Sequence, residues 1–102
     1  MVFRAVYGRL KAGAEGRMRR FYRTQVIPAL TGQKGFVFCQ LLENTDGSGE
    51  FISVTAWRSP AAAQAYHESK LYKELLGKIS DILVGRGRVK FYKIAVTSRV
   101  AK

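Results

Sequence analysis

The apolar residues of this chain change period along its length, and the order of those changes limits the fold more than any other feature. Residues 2–10, VFRAVYGRL, are rich in side chains that favour extended structure. From Glu15 the step becomes three and four: Met18, Phe21, Tyr22, Val26, Ala29 and Leu30 make one helical face, with Arg17, Arg19, Arg20 and Arg23 mostly on the others. Pro28 lies inside that pattern without an N–H to donate, so the last turn should kink or loosen before TGQKG ends the helix. FVFCQLLE (36–43) is a second strand, and the turn NTDGSG (44–49) joins it to a third, EFISVTAW (50–57), as a hairpin. Ser59 as N-cap and Pro60 as first residue open the next helix. It should break near Ser69 and resume with Leu71, Tyr72, Leu75, Leu76, Ile79, Ile82 and Leu83 on an apolar stripe, capped by Gly85. RVKFYKIAV (88–96) is the last strand.

The order is βαββαβ. It predicts an α+β, ferredoxin-like fold: a four-stranded antiparallel sheet with both helices on one face. Residues 1–102 read as a single domain, with no internal linker, repeat or low-complexity stretch. Helices on one face leave the other bare, and a bare face in water should alternate between apolar and polar residues. These strands do not. Phe36 and Phe38 read to one face, with Val37, Cys39 and Leu41 on the other. Phe51 and Trp57 oppose Ile52, Val54 and Ala56, and Phe91 opposes Tyr92, Ile94 and Val96. Both faces read as buried, so a second cover is expected. A second copy of the sheet, packed face to face in a homodimer, is the economical one.

Several function classes are disfavoured. No apolar run approaches the roughly 18 residues of a membrane span. The opening residues lack the apolar core and cleavage site of a signal peptide. Cys39 is the only cysteine, so the chain has no internal disulfide, and a cytoplasmic protein is expected. No Cys/His cluster has metal-ligand spacing, and no glycine-rich phosphate loop is present. The net charge of +11 is uneven: residues 1–23 and 78–102 carry most of the basic excess. Such an excess can attract nucleic acid or acidic ligands, and it also serves plain solubility.

The opening strand followed by KAG, the helix RRFYRTQVIPAL, KGF entering the second strand, the hairpin, and TAWRSPAAAQAYHESKLYKELL together resemble the antibiotic biosynthesis monooxygenase domain family, the dimeric α+β barrel proteins. The likeness spans about residues 2–97. The Trp-x-Ser corner leading into a helix with a histidine near its middle is its most telling part. The family includes cofactor-independent oxygenases of aromatic polyketides, quinol oxygenases and haem-degrading enzymes. The resemblance therefore implies a small-molecule pocket between sheet and helices in each subunit. In oxygenases without metal or flavin, a phenol or dihydroquinone loses a proton and its anion reduces oxygen directly. The protein supplies an apolar cavity, polar groups for the anion and exclusion of water.

Carried over residue by residue, the resemblance is partial. Trp57 matches the family's pocket-lining tryptophan at the end of the third strand. The asparagine, tyrosine and arginine that accompany it in the polyketide oxygenases fall at Ser53, Ala63 and about Gly77, so three of those four roles are not reproduced. In the haem-degrading branch the functional tryptophan falls at Tyr66, the haem-ligating histidine at Leu76 and the asparagine at Val6. None of these survives, and haem is not expected; no cofactor is, with molecular oxygen as co-substrate if the protein is an oxygenase.

On the residues themselves, Trp57 reads as core and as pocket wall together. His67 is the obvious base by residue type but also reads as a partly exposed helix residue. Arg4 in mid-strand shares the helix side with Val6, and Ser53, Thr55 and Trp57 share that side of the third strand. Arg4, Ser53, Thr55, Tyr22 and Tyr66 are expected to converge on one cavity, with Trp57 as wall and His67 as a further candidate. Cys39 reads as a small buried hydrophobe. An oxygenase of a small aromatic or quinol-like molecule and a non-catalytic dimeric small-molecule binder remain alternatives. A nucleic-acid module is the weaker third: KGFVFCQL echoes an RNA-binding aromatic strand but sits on the second strand instead of the third. Its basic footprint would involve Arg9, Lys11, Lys90 and Lys93 on adjacent first and last strands.

Overall fold

The computed structural model describes residues 1–98; the last four residues of the expected 1–102 unit lie outside the described residues. Four strands, β1 (Val2–Arg9), β2 (Phe36–Glu43), β3 (Glu50–Trp57) and β4 (Arg88–Lys93), form one sheet in the order β2-β3-β1-β4. Every neighbouring pair is antiparallel. α1 (Glu15–Phe21), a π-helical stretch (Tyr22–Val26) and α2 (Ile27–Thr31) run on from one another, and α3 (Pro60–His67), α4 (Lys70–Gly77) and a 3₁₀ turn (Ser80–Ile82) complete the helical layer. This is the α+β, ferredoxin-like arrangement that the periods imply.

The local chemistry explains the element ends. Ser59 Oγ accepts from Ala62 N–H at 3.1 Å and caps α3, with Pro60 following it. Ser69 caps α4 in the same way through Tyr72 N–H at 3.1 Å, while its own hydroxyl donates to Tyr66 C=O at 2.6 Å. One serine thus closes one helix and opens the next. The loosening expected at Pro28 lies upstream of it, in the π stretch. A proline ring clashes with the carbonyl four residues back, here that of Thr24, and a widened turn relieves the clash.

Four expectations are corrected. The apolar stripe through Leu83 is not one helix: α4 stops at Gly77, and Leu83 forms a β-bridge with Leu10. Gly85, at φ +67°, belongs to the loop beyond and caps no helix. The last strand ends at Lys93 instead of residue 96, because Lys93 pairs with Val2, where β1 itself begins. Phe36 and Phe38 do not share a face. The register slips between them, Phe36 pairing with Trp57 and Phe38 with Ala56, so Val37 is a bulge that sends the two rings to opposite sides. Phe36 packs on the core and edge-on to Trp57 at 5.6 Å, whereas Phe38 meets Phe3 at 6.0 Å on the far face.

The core lies between sheet and helices, with Trp57, Leu30 and Ala63 fully buried. The other face of the sheet is open. It carries Phe3, Phe38, Leu42, Ile52, Val54 and Tyr92 beside Gln40, Arg88 and Lys90, as the pairing registers place them. Leu42 and Tyr92 are each 45% exposed.

Candidate functional site

The inward-facing positions of β1 and β3 run in pairs across the sheet: Val2 with Trp57, Arg4 with Thr55, Val6 with Ser53 and Gly8 with Phe51. Over the last two pairs lies a cavity of about 400 Å³, flanked by Met18, Phe21 and Val26 on one side and by Leu75 and Ile79 on the other. Gly8 makes its floor possible. A Cβ there would come within 2.7 Å of the Phe51 ring, which crosses the strand at that point.

The polar groups of the cavity come from tyrosine and serine. Tyr22 Oη lies 3.1 Å from Gln40 C=O, to which it donates, and 3.1 Å from Ser53 Oγ. A phenol has one proton, so Ser53 donates to Tyr22 in that arrangement. The π stretch begins at Tyr22 and so sets the angle at which this ring leaves the helix. Tyr66 and Tyr72 supply an aromatic wall, their rings 5.5 Å apart. Neither Tyr22 nor Tyr66 ionises near neutrality. Burial drives Tyr22 far above its ordinary pKa, and burial pushes Tyr66 up to about 12 despite the nearby Arg4 charge. Burial also raises the half-buried Cys39 thiol beside Tyr22.

The expected single cluster divides in two. Tyr22, Ser53 and Tyr66 line the cavity; Trp57, Thr55, Arg4 and His67 do not. Trp57 donates from Nε1 to Thr55 Oγ1 at 2.8 Å and stacks on Tyr66 at 5.0 Å, so both polar groups are satisfied inside the packing. Arg4 donates from Nε to His67 Nδ1 at 3.1 Å, which fixes His67 with its proton on Nε2. Its guanidinium lies over the Tyr72 ring at 4.0 Å and near that of Tyr66 at 5.3 Å. His67 is half-buried at the end of α3, and burial together with the Arg4 charge holds its pKa below the usual value. The physical reason for the division is size: large side chains fill this end of the layer and leave no space between sheet and helices.

Tyr72 was not among the sequence-level candidates, since its place on the α4 stripe marks it as core. A partial signal was present nonetheless: of the seven positions that the family resemblance points to, Val6, Ser53, Tyr66 and Leu76 line the cavity, while Trp57, Ala63 and Gly77 do not. The first and last strands do lie side by side, but Arg9 is drawn to Glu50 at 3.1 Å and Lys90 sits over the Tyr7 ring at 5.9 Å. Among the described residues, no three His, Cys, Asp or Glu side chains come together as metal ligands, and no helix is long and apolar enough to cross a membrane.

A family model described as antibiotic biosynthesis monooxygenase matches residues 1–77, from β1 through α4. No curated protein matches the sequence. Among solved structures, a mutant of SnoaB, a cofactor-independent oxygenase from Streptomyces nogalater, superposes with a TM-score of 0.79 at 14% identity, over 94% of each chain. Rv0793 from Mycobacterium tuberculosis gives 0.76 at 18% identity, over 96% of this chain and 98% of the other. NE2512, a protein of unknown function from Nitrosomonas europaea, gives 0.77 at 17%, over 99% and 95%. At such identities the likeness is one of fold.

Proposed function

The chain belongs to the antibiotic biosynthesis monooxygenase family, and from that premise we propose that it takes a small aromatic, quinol-like molecule into the cavity and oxidises it with molecular oxygen, without a metal or flavin of its own. The observation that carries this reading is the cavity itself: apolar, about 400 Å³, walled by the Tyr66 and Tyr72 rings, with the Tyr22–Ser53 hydroxyl pair at one point of its lining. A flat ligand against aromatic walls, oriented by a few hydroxyls, suits such a space. The fold neighbour SnoaB, described as a cofactor-independent oxygenase, is consistent with it.

The chemistry asks little of the protein. The substrate supplies the carbon and the electrons; dioxygen accepts four electrons, one oxygen atom entering the product and the other leaving as water. Since Tyr22 and Tyr66 stay protonated, the substrate must be acidic enough to ionise by itself. To hold its oxygen, Tyr22 gives up Gln40 C=O or Ser53 gives up Tyr22, turning its single proton to the substrate, and the apolar walls exclude water. The same fact favours a second reading, a binder without catalysis: among the described residues no carboxylate and no histidine lines the cavity.

Oxygen uptake with a panel of dihydroquinones and anthrones separates the two. Uptake above the uncatalysed rate, falling about tenfold or more in Tyr22→Phe, is the expected result. Ligand binding without any enhanced uptake leaves the binder alone. We also place a second copy of the chain on the open sheet face, where Phe3, Phe38, Leu42, Ile52, Val54 and Tyr92 make an apolar patch of the kind a partner covers. Light scattering in the micromolar range is expected to give twice the chain mass of 11.4 kDa, and a monomer mass removes the dimer. The cytoplasm is the compartment that a single, unbridged cysteine suits.

A further inference from the structure

Among the described residues Arg4 is the one charged side chain in the core, 1% exposed. Among the described residues no acidic side chain pairs with it. The chain has only seven acidic residues, and Glu43, Glu50 and Asp81 are spent on Arg19, Arg9 and Arg17. The single side-chain partner of Arg4 is His67, an acceptor through its unprotonated Nδ1. Arg4 Nη2 is buried and has no partner among the described residues. A buried cation without a carboxylate is costly, and an orphaned donor adds to the cost.

The place of this charge gives it a use. The two rings on which the guanidinium rests, Tyr72 at 4.0 Å and Tyr66 at 5.3 Å, are themselves cavity wall. A negative oxygen at that wall would lie about one ring's breadth from the cation, in a medium where charges interact far more strongly than in water. The cavity lining points the same way: among the described residues its only charged side chains are Arg9 and Arg86, and no acid faces it.

We propose that the cavity's ligand is an organic anion, a flat ring bearing a negative oxygen, and that Arg4, acting through space from behind the Tyr66 and Tyr72 wall, is its counter-charge. This rests on the cavity reading above and adds to it the charge of the ligand and the residue that selects it. A phenolate and a carboxylate share this chemistry.

The test compares 2-naphthoate with 2-naphthamide, which differ in charge and little in shape, by calorimetric titration at pH 8. The native protein is expected to prefer the anion by about tenfold or more. Arg4→Met should bring the two ligands within about twofold of each other while leaving amide affinity unchanged. Arg86→Gln should keep most of the preference. Equal binding of both ligands to the native protein overturns the proposal, and so does a preference that survives Arg4→Met. If Arg4→Met does not fold, Arg4→Gln carries the same comparison. If neither ligand binds, the cavity reading falls and this inference falls with it. A nitronaphthol probe, whose phenolate absorbs separately, then identifies the source: a lowered pKa in the bound state marks a phenolate site. An unchanged one, with the naphthoate preference intact, marks a carboxylate site.

Discussion

The two ends of the sheet's inner face are built in opposite ways. Along β1 the inward residues shrink from Arg4 to Val6 to Gly8, and along β3 they shrink from Trp57 to Thr55 to Ser53 before Phe51 closes the row. The large end is filled: Trp57 is fully buried and Arg4 nearly so. The small end holds the cavity. Side chains of both helical runs line that cavity together with the strands. The space comes from a taper in side-chain size along two paired strands, a one-dimensional feature that strand pairing turns into a volume.

The contrast can be tested where it is widest. Trp57→Ala should cost about 3–5 kcal/mol in urea-induced unfolding, because it removes a full ring from a filled site and strips Thr55 of its donor. Val6→Phe should do the reverse. It adds bulk at the empty end, so stability should stay within about 1 kcal/mol of the native protein. Aromatic-ligand binding, followed by titration, should be lost. If Val6→Phe destabilises as much as Trp57→Ala, the small end is packed after all and the taper has no functional meaning. If it leaves ligand affinity intact, the ligand binds elsewhere.

Much of the fold could be read before the structure, because the switches from extended to helical period and back are strong and the caps at Ser59 and Ser69 are chemically explicit. What escaped depended on non-local geometry. The bulge at Val37 has no local marker, since every residue from Phe36 to Cys39 suits a strand. The early end of the Leu71–Leu83 stripe follows from the bridge that pulls Leu83 to Leu10, a contact across most of the chain. At the site, residue type drew attention to Trp57 and His67, while residue size located the space. Val6, Gly8 and Ser53 carry no chemistry that announces itself, and Tyr72 looks like core from its helical position. Arg4 was visible as an oddity in mid-strand, but that it would lack any acidic partner could not be known before the ion pairs of Glu43, Glu50 and Asp81 were placed.

The bulge has a consequence for how the protein behaves when concentrated. β2 and β4 are the margins of the sheet, the places where a foreign strand could add on. β2 is interrupted at Val37, and β4 presents Arg88, Lys90 and Lys93, all exposed. A broken margin and a basic one both discourage ribbon-like growth from chain to chain. The apolar open face can therefore exist without making the chain a fibre former: association through that face ends once it is covered, and the margins offer no second direction in which to continue.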